Sequence, residues 1–190
     1  MNNSTTNLDK NSIAELITLE KLMKKYKRER SRKKMQPHYE RMMAEVTELA
    51  EPKLISMRFG AEIVAEMALE KMNDMVGGYF ALCTLGDAID KRYAEHSVDD
   101  LALAAILDEI ALAWIVAITR TFHQQLRQQF DDPNFKIGPA HRPGLGRIPI
   151  ETQAIVFSHL PADKIGVTLS EFMVMEPARS TSLVIPILKK

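Results

Sequence analysis

Two adjacent carboxylates, Asp108 and Glu109, stand inside the apolar run ILDEIALAWIVAI and are the first place to look for acid–base chemistry. Neighbouring residues on a helix project about 100° apart, so this pair cannot converge on one reacting atom as a general acid and its base must. The expectation is that one carboxylate tips to solvent while the other caps or pairs with a neighbouring element; the alternative is a functional carboxylate with a shifted pKa. The histidines, at positions 38, 96, 123, 141 and 159, include no pair at metal-ligand spacing, and Cys83 has no second cysteine. A metal site would have to be assembled from distant segments. GxSxG, Walker and GxGxxG patterns are absent, since Gly144-Leu145-Gly146 lacks the third glycine and follows a loop. Nucleophilic, P-loop and dinucleotide chemistry therefore have no motif behind them. What remains is the loop KIGPAHRPGLGRIPIE, whose three prolines and three glycines constrain the backbone and leave room for close approach around Arg142 and Arg147. Loops of this kind commonly carry binding residues.

The elements that must position this loop follow from apolar periodicity. An Asn-, Ser- and Thr-rich start, residues 1–7, is expected to be mobile, and Asp9 or Asn11 can cap a helix that begins near Ile13. Ile13, Leu16, Ile17, Leu19, Met23 and Tyr26 form one apolar stripe running into KKYKRERSRKK, and Pro37 is expected to break that helix. A second amphipathic helix then carries Met42, Met43, Val46 and Leu49, followed by an extended stretch at 55–59, so that a short helical hairpin is the simplest reading. Residues 61–75 have helical spacing, with Gly77-Gly78 as terminator, and YFALCTLG reads as a buried strand. A helical turn or two at 87–93 precedes the longest helix, expected to start at Ser97 or Asp99 and end near Phe130 before Asp131-Asp132-Pro133. Its segment 101–118 is apolar enough to raise a membrane question, but Asp108 and Glu109 would each cost on the order of 3 kcal/mol at a bilayer centre, so a core helix with Trp114 packed inside and no membrane span is expected. A last helix spans 151–160, and the β-prone runs 170–175 and 181–187 are expected to pair as an antiparallel hairpin.

The chain has 190 residues, 46% hydrophobic and 26% charged, which suits one compact domain plus an arm. One cysteine permits no internal disulfide, and no charged-then-apolar leader is seen, so Cys83 is expected to be core packing and the location cytoplasmic. The formal net charge of +0 hides an asymmetry: residues 21–34 hold nine Lys or Arg against Glu29 alone. The remainder is correspondingly acidic. The reading is therefore a basic helical arm at 1–36 and a body at 37–190. The arm is a candidate contact for nucleic acid or an acidic protein partner, against a plain solvated helix face, and the Leu16, Leu19, Met23, Tyr26 seam allows a homodimer.

The segments ALCTLGDAIDKRY, ILDEIALAWIVAI, PGLGRIPIE and KIGVTLSEFMVMEPARSTSLVIPI, in this order and spacing, resemble the activation domain of cobalamin-dependent methionine synthase and its free-standing relatives. The last run is the most specific, with Leu169, Glu171, Met175, Pro177, Ser180 and Ser182 matching the family's terminal segment. The resemblance covers residues 52–190 and is weak before Tyr79. It implies an α+β fold with a twisted, mainly antiparallel sheet flanked by helices, S-adenosylmethionine as the small ligand, and cobalamin reached through a partner protein. The family's binding loop resembles Arg, two residues, then Pro-Gly-Tyr; here Pro143-Gly144 match, while Ala140 and Leu145 stand at the Arg and Tyr positions.

For a ligand site this leaves Arg142 or Arg147 to hold an anionic group, Gly144 and Gly146 to let backbone N–H groups approach it, and Glu171 to accept from an amino or hydroxyl donor; the alternative is a purely structural turn. The function implied is an accessory role in corrinoid-dependent methyl transfer, assisting reactivation of, or docking to, a corrinoid protein or methyltransferase.

Overall fold

The structure, a computed structural model, describes residues 3–67, 74–146 and 148–190, with side chains from residue 8 onward. Its spine is an antiparallel five-stranded sheet in the order β1 (Asn3–Asn7), β2 (Lys53–Phe59), β3 (Met75–Thr84), β7 (Ser180–Lys189), β4 (Phe135–Ile137). Side chains alternate across a strand, so β3 and β7 feed two cores at once. Ala81, Cys83, Leu183, Ile185 and Ile187 face a helical layer, while Phe80, Leu82 and Val184 meet Ile55, Met57, Ile148 and Val156 on the reverse. The helical layer comprises α1 (Lys10–Glu15), α2 (Leu19–Met23), α3 (Glu29–Leu49), α5 (Ala88–Asp99) and α6 (Leu101–Gln129); α4 (Ala61–Met67) and α7 (Thr152–His159) serve the reverse face. The expected α+β class, with helices flanking an antiparallel sheet, is what the chain adopts.

Helix α6 shows why this layer forms. The Asp100 carboxylate accepts from the N–H groups of Ala102 and Leu103 and caps the helix, and Leu103, Leu107, Ile110, Trp114, Ile118 and Phe122 recur at three- and four-residue steps. All six are buried, Trp114 at 1% exposure, and each contributes roughly 1.5–3 kcal/mol of burial. The helix is long and apolar enough to cross a membrane, but here that face is consumed by packing on α3, α5 and the sheet. As expected, one carboxylate tips to solvent and the other pairs with neighbouring elements: Asp108 is 57% exposed, though it also accepts from Arg179 at 2.6 Å, and Glu109 accepts from Lys25 at 2.6 Å and the Tyr39 hydroxyl at 2.5 Å. Burial, and then the Glu109 carboxylate, hold the Tyr39 phenol protonated well above its ordinary range.

Several sequence expectations are corrected. Residues 3–7 are an edge strand paired along β2. The stripe from Ile13 to Tyr26 is two short helices, because Thr18 is extended and its side chain accepts from the Lys21 N–H to start α2. Pro37 lies inside α3 and does not break it: the lost bond falls on an exposed turn, while Tyr39, Met42 and Val46 bury the face that follows. The helix thus runs through the 36/37 junction, and Ile13, Ile17, Leu22 and Met23 share the core of the body. Gly77 and Gly78 are strand residues; a Cβ on Gly77 would lie 2.7 Å from the Phe59 carbonyl oxygen and one on Gly78 2.6 Å from that of Ile185. Asp100, extended, separates α5 from α6, so the long helix begins at Leu101. The 170–175 run does not pair with 181–187. Residues 170–174 form a turn, in which Ser170 N–H donates to the Val174 carbonyl at 2.9 Å; β6 (Met175–Glu176) pairs with β5 (Thr168–Leu169), and β7 pairs with β3 and β4.

Candidate functional site

The loop after β4 is fastened before it reaches Arg142. His123 of α6 hydrogen-bonds the Gly138 carbonyl oxygen at 2.8 Å, Gly138 N–H donates to Pro186 at 2.8 Å, and His141 exchanges backbone bonds of 2.9 Å with Val184. Four anchors within four residues fix the direction in which Arg142 leaves the chain. Its guanidinium Nη2 donates to Thr119 Oγ1 at 3.2 Å, and the side chain lines a groove of about 490 Å³. Tyr93 from α5, Asp108, Leu112 and Ile115 from α6, and residues 178–181 entering β7 form the other walls.

A second guanidinium stands in the same groove with its charge answered. Arg179 donates to Asp108 at 2.6 Å and to Asp90 at 3.1 Å, and its guanidinium carbon lies 4.2 Å from the centre of the Tyr93 ring. The Ala178 N–H also donates to Asp90, at 2.5 Å. Arg179 therefore ties α5, α6 and the start of β7 together. Arg142, half-buried, has no carboxylate partner among the described residues. Beneath it Cys83 is buried, and burial, opposed more weakly by the Arg142 charge, pushes its thiol up to about 12; it is a packing residue without thiolate reactivity near neutral pH. Chemically the groove offers one uncompensated cation, the Thr181 hydroxyl, and apolar walls from Leu112 and Ile115, while the Ser180 hydroxyl donates to Thr84 Oγ1 at 2.9 Å. That is a place for an anionic group carried on an apolar body.

The other residues singled out from the sequence lie elsewhere. Gly144 adopts φ +83 and its N–H donates to Ile148 O at 2.9 Å, so this amide closes the turn and does not point at an anion. A Cβ there would sit 2.8 Å from Ile150 Cδ1. Gly146, φ +80, is exposed with open space beside it, and Arg147 lies outside the described residues. Glu171 is exposed on the 170–174 turn, which Gln153 of α7 holds by donating to the Met173 carbonyl at 3.2 Å. Gln153 also meets Ser182, which by strand alternation faces away from Thr181 and the Arg142 groove. Arg142 and Glu171 thus do not share a site. Of the histidines, His96 meets Glu45 at 2.9 Å and His159 meets Glu66 at 3.0 Å, and no metal-ligand cluster occurs among the described residues.

No sequence-family model matches the chain, and no curated protein matches it. Among solved structures, the crystal structure of the MetH reactivation domain bound to AdoHcy superposes with a TM-score of 0.71, at 11% identity, over 98% of this chain and 78% of that one. The chain resembles that domain in fold. The MetH-like architecture extends through α1, α2 and the basic segment, well beyond the 52–190 stretch in which the sequence resemblance was legible. Arg179 and Tyr93 carried no signal as groove residues in the sequence; Arg179 stands in a turn, and only the tertiary meeting of Asp90 with Asp108 reveals its role.

Proposed function

We propose that this protein is an accessory component of corrinoid-dependent methyl transfer, assisting reactivation of, or docking to, a corrinoid protein or methyltransferase. The observation that supports this most is the MetH reactivation-domain fold along 98% of the chain. The Arg142 groove supports it locally, as a half-buried cation open to an anionic group of a ligand or partner. S-adenosylmethionine fits this arrangement in part: Arg142 can take a carboxylate, while Ala140 and Leu145 supply neither the guanidinium nor the phenol that the resemblance leads one to expect. S-adenosylmethionine would supply a transferable methyl group; this chain would bind and orient, with cobalamin brought by the partner. The role proposed for the groove is binding and orientation, through the Arg142 cation and the apolar walls of Leu112 and Ile115.

Two measurements test the reading. Calorimetric titration of the intact protein with S-adenosylmethionine is expected to give no heat, and binding abolished by Arg142→Ala would instead establish the methyl donor as its ligand. Mixing the intact protein with corrinoid-dependent methyltransferases carrying oxidised cobalamin is expected to yield a complex or faster return to activity; neither complex nor effect on methyl transfer rejects the accessory role.

A further inference from the structure

The N-terminal half of α3 is basic and uncovered. Residues 28–34 are exposed, seven in succession, so every face of about two helical turns is bare. Of the cations in the 21–34 segment, Lys25 is held by Glu109 and Lys33 by Glu29, but Arg28, Arg30, Arg32 and Lys34 have no acidic partner among the described residues. At 100° per residue, Arg28 and Arg32 fall on the side that buries Tyr39, Met42 and Val46 farther along, and Arg30 and Lys34 fall on the opposite side, about 180° away. The charge is arranged as two i, i+4 pairs on opposed flanks of one free helix end.

We infer that this helix end is a docking element for duplex DNA, entering the major groove with one arginine pair or Arg–Lys pair toward each phosphate wall. A helix with its side chains is about 10–12 Å across and the B-form major groove about 12 Å wide, so a helix lying in it meets phosphates on both sides. A flat acidic protein surface would engage one flank and leave the other pair idle. A membrane surface would also want an apolar face beside the cations, and residues 28–34 contain no apolar side chain. The rest of the chain, with its excess of acidic residues, repels a polyanion and confines contact to this end. The recognition is of phosphate, without base readout.

The test uses the intact protein and a labelled duplex of mixed sequence, with anisotropy read between 50 and 200 mM salt. Four neutralised phosphates give a log–log salt slope of about −3.6; Arg28→Ala with Arg32→Ala, and separately Arg30→Ala with Lys34→Ala, should each halve it to about −1.8 and weaken binding on the order of tenfold or more. Alanine favours the exposed helix at positions 30, 32 and 34, Arg28 is the N-cap and makes no side-chain capping bond to lose, and unchanged circular dichroism will show that the variants fold. Four outcomes overturn the proposal: no binding at 50 mM salt, equal binding by the quadruple variant, loss confined to one pair, or equal capture by phosphatidylserine vesicles.

Discussion

Arg142 and Arg179 bring the same charge to one groove, and their surroundings set opposite consequences for losing it. Arg179 is 13% exposed and joins Asp90 and Asp108, so Arg179→Ala strips both carboxylates and removes a cation from the Tyr93 face. Asp108 is 57% exposed and is partly rescued by water, which brings the expected loss to about 2 kcal/mol in urea unfolding. Arg142→Ala gives up one hydroxyl contact and relieves an uncompensated charge, so its change is expected to stay within about 1 kcal/mol. Equal losses would mean that Arg142 is also structural. Cys83 supplies a pH signature at the same scale. Its thiol titrates at about 12 when folded against an ordinary 9.0, so the folded state holds a proton that the unfolded chain releases, and stability falls as pH rises between those values. Cys83→Ala should flatten that part of the alkaline unfolding profile, and an unchanged slope would assign the loss to other groups.

Among the elements, α3 carries the clearest internal conflict. Pro37 has no N–H to offer the Lys33 carbonyl, yet the helix continues because the face bearing Tyr39, Met42 and Val46 is buried beyond it. Pro37→Ala restores that bond at an exposed position. It should raise stability by about 1–2 kcal/mol, less than the full proline penalty because the unfolded chain also gains freedom. A drop in the thermal midpoint would show that the proline is needed for a bend in the helix. The strand β7 carries the opposite lesson. Its apolar run was legible, but its partner was not: pairing with β3 over nine positions, Thr84–Ser180 to Met75–Leu188, is a contact between segments about a hundred residues apart.

Across the whole molecule, the N-terminal helices behave as part of the core. Ile13, Ile17, Leu22 and Met23 are buried against α6 and its neighbours, and losing them would cost about 6 kcal/mol or more in burial alone. Removing residues 1–27 should therefore give a protein without a cooperative thermal transition; a truncated chain that melts like the intact one would make those residues a dispensable arm. What the sequence determined by itself is whatever local chemistry fixes: the capped, periodic α6, the buried strand around Cys83, the glycine- and proline-bound loop, the concentration of charge in residues 21–34, and a run from Lys164 to Ile187 specific enough to indicate the fold. Only the tertiary structure decided which of these meet. Glycines 77 and 78 read as a helix stop until the Phe59 and Ile185 carbonyls are seen against them, and Glu171 read as a companion of Arg142 until a strand came between them. The reason is physical: propensity and period describe a residue's own backbone, whereas close approach, strand partner and the pairing of one charge instead of another are set by segments far away along the chain.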